Sequence, residues 1–105
     1  MRRARHKFGA KPVKVDGFHY SSQLEARHGA HLTTLRDSGA VLGFLRQVPF
    51  HFPDGTRYVC DFLVFWEDGR CTFEECKGRE TEQWKIKERL LAYHFPWVEL
   101  SIIRK

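Results

Sequence analysis

A central mixed β-sheet flanked by helices, an α/β sandwich, is the fold class this sequence predicts, and three features predict it. "RYVCDFLVFW", Arg57 to Trp66, is apolar on both alternating faces, as a strand in the middle of a covered sheet must be. Two stretches, 22–38 and 82–94, carry apolar residues at helical spacing instead. Strand-like and helix-like segments also follow one another in the order hairpin, helix, three strands, helix, strand. At 105 residues, 42% of them hydrophobic and 14% aromatic, the chain suits one domain with one compact core.

The first twelve residues stand apart. Six Lys and Arg precede the first acid, Asp16, and the segment to Pro12 is expected to be a mobile basic arm, with the folded domain covering 13–105. "VKV-DG-FHY" then has the alternation and the Asp-Gly turn of a short hairpin, Val13 to Tyr20. Leu24, His28, Leu32 and Leu35 mark the first helix, with Ser22 as its cap and Gly39 as its stop. Gly29 in mid-helix is unfavourable unless the helix must approach another backbone closely there.

"AVLGFLRQVPFHF" reads as a strand interrupted at Pro49. "PDGT" turns the chain into Arg57–Trp66, and "CTFEECK" returns antiparallel across "EDG". The second helix runs from Glu82 to His94, with Trp84, Ile86, Leu90, Leu91 and Tyr93 toward the core, and must stop before Pro96. "WVELSII" supplies the last strand. Cys60, Cys71 and Cys76 are odd in number and lack zinc or redox spacing, so buried free thiols are expected.

Charge inside these strands needs a reason. Asp61 is the one acid of the central strand, and Glu75 and Lys77 share a face of the next. A three-residue loop, Glu67, Asp68 and left-handed Gly69, sets Trp66 opposite Arg70 and Asp61 opposite Glu75. A two-residue loop would put the two acids on opposite faces. Uncompensated charge in a sheet interior costs several kcal/mol. It is offset either by a structural ion pair or by bound Mg²⁺ or Mn²⁺ on the two carboxylates, the Cys76 backbone carbonyl and waters. Parity prefers Glu75 to Glu74, which shares a face with Cys76 instead. Glu25, three residues after Ser22, reads as the partner in a capping box. Gln47 reads as a strand-edge amide or as a rim residue.

Asp in one strand followed by Glu-x-Lys in the next, "CDF" and "EECKG", resembles the PD-(D/E)xK nuclease superfamily. An acid in the preceding helix, "SSQLEAR", and a lysine-bearing helix after the motif, "TEQWKIKERL", extend the resemblance over most of the chain. Cys60 stands where the motif has its proline. The layout is similar to small phage nucleases and to archaeal-type Holliday junction resolvases, which implies a restriction-endonuclease-like sandwich. The resemblance further implies metal ligation by Asp61, Glu75, the Cys76 carbonyl and Glu25, and catalysis by these carboxylates with Lys77.

The activity implied is Mg²⁺-dependent cleavage of DNA, most concretely of four-way junctions, by a homodimer; the alternatives are a nicking, restriction-like or exonucleolytic nuclease with the same site, or a non-catalytic DNA-binding module in which Asp61, Glu75 and Lys77 merely pair. The net charge of +5 suits a phosphate partner. Arg2, Arg3, Arg5, Lys7 and Lys11 of the arm, with Lys85 and Lys87 of the second helix, are the expected DNA contacts. No apolar run is long enough for a membrane span and no secretion signal is visible, so the expected setting is the cytoplasm of a bacterial or phage-infected cell.

Overall fold

The computed structural model describes residues 13–15 and 18–104. The expected basic arm, with Arg2, Arg3, Arg5, Lys7 and Lys11, and the Asp16-Gly17 turn lie outside the described residues. Two short strands, β1 (Val13–Val15) and β2 (Phe18–Tyr20), pair antiparallel beside helix α1 (Gln23–Asp37). Strands β3 (Val41–His51), β4 (Arg57–Trp66) and β5 (Cys71–Cys76) follow, then helix α2 (Glu82–His94) and strand β6 (Leu100–Ile103). The sheet order is β3-β4-β5-β6, with the first two pairings antiparallel and β5-β6 parallel. α2 is the crossover that a parallel pair requires. This is the α/β architecture expected, a mixed sheet flanked by helices.

Each helix covers a different part of the sheet. α1 packs Ala26 and Leu32 against Val41, Phe62 and Val64, with Tyr20 joining from β2. α2 packs Trp84 and Leu91 against Phe73, Leu100 and Ile102, together with Phe50, Tyr58 and Cys60. Tyr58 and Cys60 have the same parity as Phe62 and Val64, yet they belong to the other cluster. Strand alternation alone forbids this. Gln47 accounts for it: its φ of 56° is the only positive value at a non-glycine among the described residues, in mid-strand. It lies between the pairs Arg46↔Phe62 and Val48↔Cys60, where it faces Asp61 across the ladder. The hairpin therefore changes the side it presents at the level of Asp61.

Several expectations need correcting. β3 runs unbroken through Pro49, which pairs with Val59, because β3 is an edge strand and an edge has room for a residue that cannot donate. β4 is interior to the sheet, but only Tyr58, Cys60, Phe62 and Val64 are fully buried; Leu63, Phe65 and Trp66 are partly buried. In α2, Ile86 is 47% and Tyr93 80% exposed. Two residues along a helix is a turn of about 200°, so neither can share the face that Trp84 and Leu91 bury. All three cysteines are free, but Cys71, beside the turn, is exposed.

Two glycines are required by geometry. A Cβ on Gly29 would lie 2.4 Å from the hydroxyl of buried Tyr20, so the close approach is to a side chain. Gly69 adopts φ 92° in the turn after β4, where Gly69 N–H donates to Trp66 O and Trp66 N–H to Arg70 O. This is the three-residue loop, and the pairs Phe62↔Glu74 and Phe65↔Cys71 carry its register along the strands. Gly69→Ala, which forces a left-handed conformation on a residue with a Cβ, is expected to cost about 1 kcal/mol. That loss would be read as a lower urea midpoint with unchanged slope.

Candidate active site

The register of the β4-β5 hairpin, continued one step past Phe62↔Glu74, sets Asp61 opposite Glu75. The Cys76 N–H donates to Oδ2 of Asp61 at 2.9 Å, fixing the aspartate against β5. Glu75 is 5% exposed. Its Oε1 accepts from the Tyr58 hydroxyl at 2.5 Å, and its Oε2 lies 3.3 Å from Lys77 Nζ. Lys77 is held in turn over the Trp84 ring at 4.5 Å. The three charged residues singled out in the strands thus meet, as the three-residue loop requires.

Glu25 joins them from α1. It is 1% exposed, the most buried charged side chain described. Ser22 caps α1 by accepting from Glu25 N–H at 3.1 Å, but the reciprocal half of a capping box is not made. The carboxylate reaches past the cap, where Oε1 accepts from Ser21 N–H at 3.3 Å and from its hydroxyl at 2.5 Å. Oε2 accepts from Gln47 at 3.1 Å and from Arg46 at 3.3 Å. Arg46 is braced by the Tyr20 ring, 4.2 Å from its guanidinium carbon. With both oxygens engaged, Glu25 stands behind the Asp61-Glu75 pair as a fixed charge.

Parity also separates Glu74 from this group. Its Oε1 is 2.5 Å from His28 Nε2 and its Oε2 accepts from Thr72, which accepts in turn from the Trp66 indole. That network serves the packing of α1. Lys85 and Lys87, the expected DNA contacts of α2, are not drawn into the site. Lys85 pairs with Glu82 at 3.8 Å and Lys87 lies over Phe52.

The electrostatics follow from crowding. Burial, then the neighbouring Glu75 and Glu25 charges, push the Asp61 carboxyl up to about 8. Burial also raises Glu75, against the opposing pull of the Tyr58 hydrogen bond and Lys77. The Tyr58 hydroxyl is raised as well, by burial and then by Glu75, so it stays a donor. Three carboxylates face two cations, Lys77 and Arg46, an imbalance that a divalent cation would relieve. Among the described residues no three His, Cys, Asp or Glu side chains converge as a metal cage. Hard-cation sites of the Mg²⁺ type commonly use one or two carboxylates and complete their shell with water. Asp61 and Glu75 fit that donor set, while Glu25 already accepts from Ser21, Gln47 and Arg46, more partners than either of them has.

Arg46, Gln47, Tyr58 and Ser21 complete the site, and sequence reasoning had assigned a role to none but Gln47. Arg46 carried a usable signal, a cation on the face of β3 that opposes buried Phe62. Tyr58 carried none, since its parity points away from Glu75 and only the switch at Gln47 brings it round.

The model of a family described as a protein of unknown function (DUF1064) matches residues 5–105, and the chain belongs to that family. No curated protein matches it.

The raised Asp61 carboxyl gives stability a pH dependence with a definite sign. Between the ordinary carboxylate range and about pH 8, the unfolded chain has lost a proton that the fold keeps, so stability falls as pH rises and levels off above about 8. Without metal, Asp61→Asn is expected to melt above the wild type at pH 8 by the equivalent of a few kcal/mol, with the gap closing toward pH 4. Saturating Mg²⁺ should raise the wild-type melting temperature at pH 8 and leave the variant unmoved. Calorimetry across pH, with and without Mg²⁺, checks both.

Proposed function

We propose that this protein is a divalent-metal-dependent endodeoxyribonuclease, acting most concretely on four-way DNA junctions. The observation that supports the reading is the meeting of Asp61 and Glu75 across one hairpin, with the Lys77 ammonium on a Glu75 oxygen. The resemblance of these residues to the PD-(D/E)xK pattern supplies the reaction class.

Asp61 and Glu75, with the Cys76 carbonyl and waters, would hold Mg²⁺ or Mn²⁺, which would polarise a phosphoryl oxygen and supply a water of lowered pKa. Lys77, the only ammonium in contact with the pair among the described residues, would orient the attacking water and meet charge as it develops on the phosphate. Glu25, held by Ser21, Arg46 and Gln47, would sustain the negative field at Asp61 and complete the metal's water shell. In-line attack would leave 5′-phosphate and 3′-hydroxyl ends, as the resemblance implies. Two symmetric cuts need two sites, which a two-fold homodimer would provide. The arm cations and those of α2 would grip phosphates, and the protein would work inside the cell. No helix among the described residues is long and apolar enough to cross a membrane.

A non-catalytic DNA-binding module is the second reading. It is favoured by the fact that each carboxylate of the cluster already has a protein partner: Cys76 N–H for Asp61, Lys77 for Glu75 and Arg46 for Glu25.

Cleavage of a labelled four-way junction, a linear duplex and a single strand in Mg²⁺ separates the readings. The junction should be cut preferentially, and Asp61→Ala and Glu75→Ala should each lower the rate roughly 100-fold or more while junction binding persists. Wild-type protein that binds but cuts none of the three would leave the binding module. Junction affinity should also fall steeply between low and moderate salt, the mark of phosphate contacts.

A further inference from the structure

The Glu75-Lys77 pair is enclosed by two aromatic side chains from different elements. Tyr58 of β4 donates to Oε1 of Glu75, and Lys77 stands at Oε2. The same ammonium lies 4.5 Å from the centroid of Trp84, in the first turn of α2, and the Trp84 and Tyr58 rings are 5.5 Å apart. Four side chains thus close a ring, and Trp84 is its only uncharged partner for the lysine.

Trp84 is 5% exposed, and its buried indole N–H has no hydrogen-bond partner among the described residues. Burying that donor unpaired is unfavourable, and phenylalanine would occupy the place without the penalty. What tryptophan offers over phenylalanine is the aromatic face that attracts cations most strongly. Lys77 sits on that face.

The contact matters most once a metal arrives. A divalent cation held by the Glu75 carboxylate would repel the ammonium that stands 3.3 Å from Oε2, so Lys77 would lose its anionic partner. The indole face does not compete for that oxygen and stays beneath the ammonium. We propose that Trp84 is a positioning residue that keeps the Lys77 ammonium at the site while Glu75 is engaged by metal. The role given to Lys77 rests on the nuclease reading; the contact itself does not.

Two measurements on the full chain test this. The methylene protons beside Lys77 Nζ should resonate upfield from the indole ring current, stay there when Mg²⁺ is added, and return to ordinary positions in Trp84→Leu. In junction cleavage, Trp84→Leu should lower kcat about tenfold with KM unchanged, and Trp84→Phe about threefold without a matching loss of stability. In a Lys77→Met background, Trp84→Leu should cause no further loss of activity.

A Lys77 signal that leaves the upfield region on adding Mg²⁺ overturns the proposal whatever the activity. So does wild-type kcat in Trp84→Phe and in folded Trp84→Leu alongside an inactive Lys77→Met, and the nuclease reading then survives. Lys77→Met that cuts as well as wild type overturns the catalytic role given to Lys77, and the positioning role with it. If Trp84→Leu fails to fold, Trp84→Phe and the wild-type spectra decide the matter.

Discussion

The pairing register between β4 and β5 is the constraint on which the site depends. Strand side chains alternate, so a slip of one residue would carry Glu75 and Lys77 to the opposite face and leave Asp61 facing Glu74 or Cys76 instead. What prevents the slip is a turn closed by Gly69 N–H on Trp66 O and by Trp66 N–H on Arg70 O, with Gly69 at φ 92°. Phe62 and Val64, fully buried against α1, hold the same register from the other side, because a shift would turn them outward. A local turn and a packed face thus agree on one alignment, and that agreement lets the chain gather buried carboxylates that repel one another.

Gln47 adds a second level of control. With strict alternation throughout, the outer half of the β3-β4 hairpin would present Phe50 and Tyr58 to the α1 side, leaving Glu75 without its hydroxyl partner and α2 without much of its core. A left-handed residue opposite Asp61 exchanges the sides. Asp61 is therefore at the switch, reached by Glu25 charge from α1 and by Glu75 charge from the α2 side. Gln47 itself donates to Glu25, so the residue that bends the strand also secures the buried acid.

This history explains what could be read from the sequence. The helix and strand limits were legible because capping serines and threonines, Asp-Gly turns and apolar periodicity are local signals, and the structure uses them: Ser22 and Thr81 cap the helices, and Gly69 closes the turn. The convergence of Asp61, Glu75 and Lys77 was legible because parity and loop length are local too. What escaped depends on long-range contact. Pro49 was misjudged because a sequence does not say which strand lies at an edge. Hydrophobicity alone points Ile86 and Tyr93 inward, but the helical angle turns them away from Trp84 and Leu91 respectively. The bonds from Glu25 to Ser21, Arg46 and Gln47 needed the actual path of β3 beneath α1.

The balance of charge separates a structural ion-pair network from a site built for a cation. A network that exists only for stability gains most when carboxylates and cations match in number and each is hydrogen-bonded, since burying an excess of one sign costs more than its pairs return. Here Glu25, Asp61 and Glu75 outnumber Arg46 and Lys77, and burial, with the Glu75 and Glu25 charges adding to it, pushes the Asp61 carboxyl up to about 8. The cluster accommodates that excess by keeping a proton on Asp61 through the neutral range. On the proposed nuclease reading, exchanging that proton for a divalent ion would change the local charge by one unit and carry three carboxylates and two protein cations past neutrality, as contact with a phosphodiester would require. A closed ion-pair network has no need of that reserve.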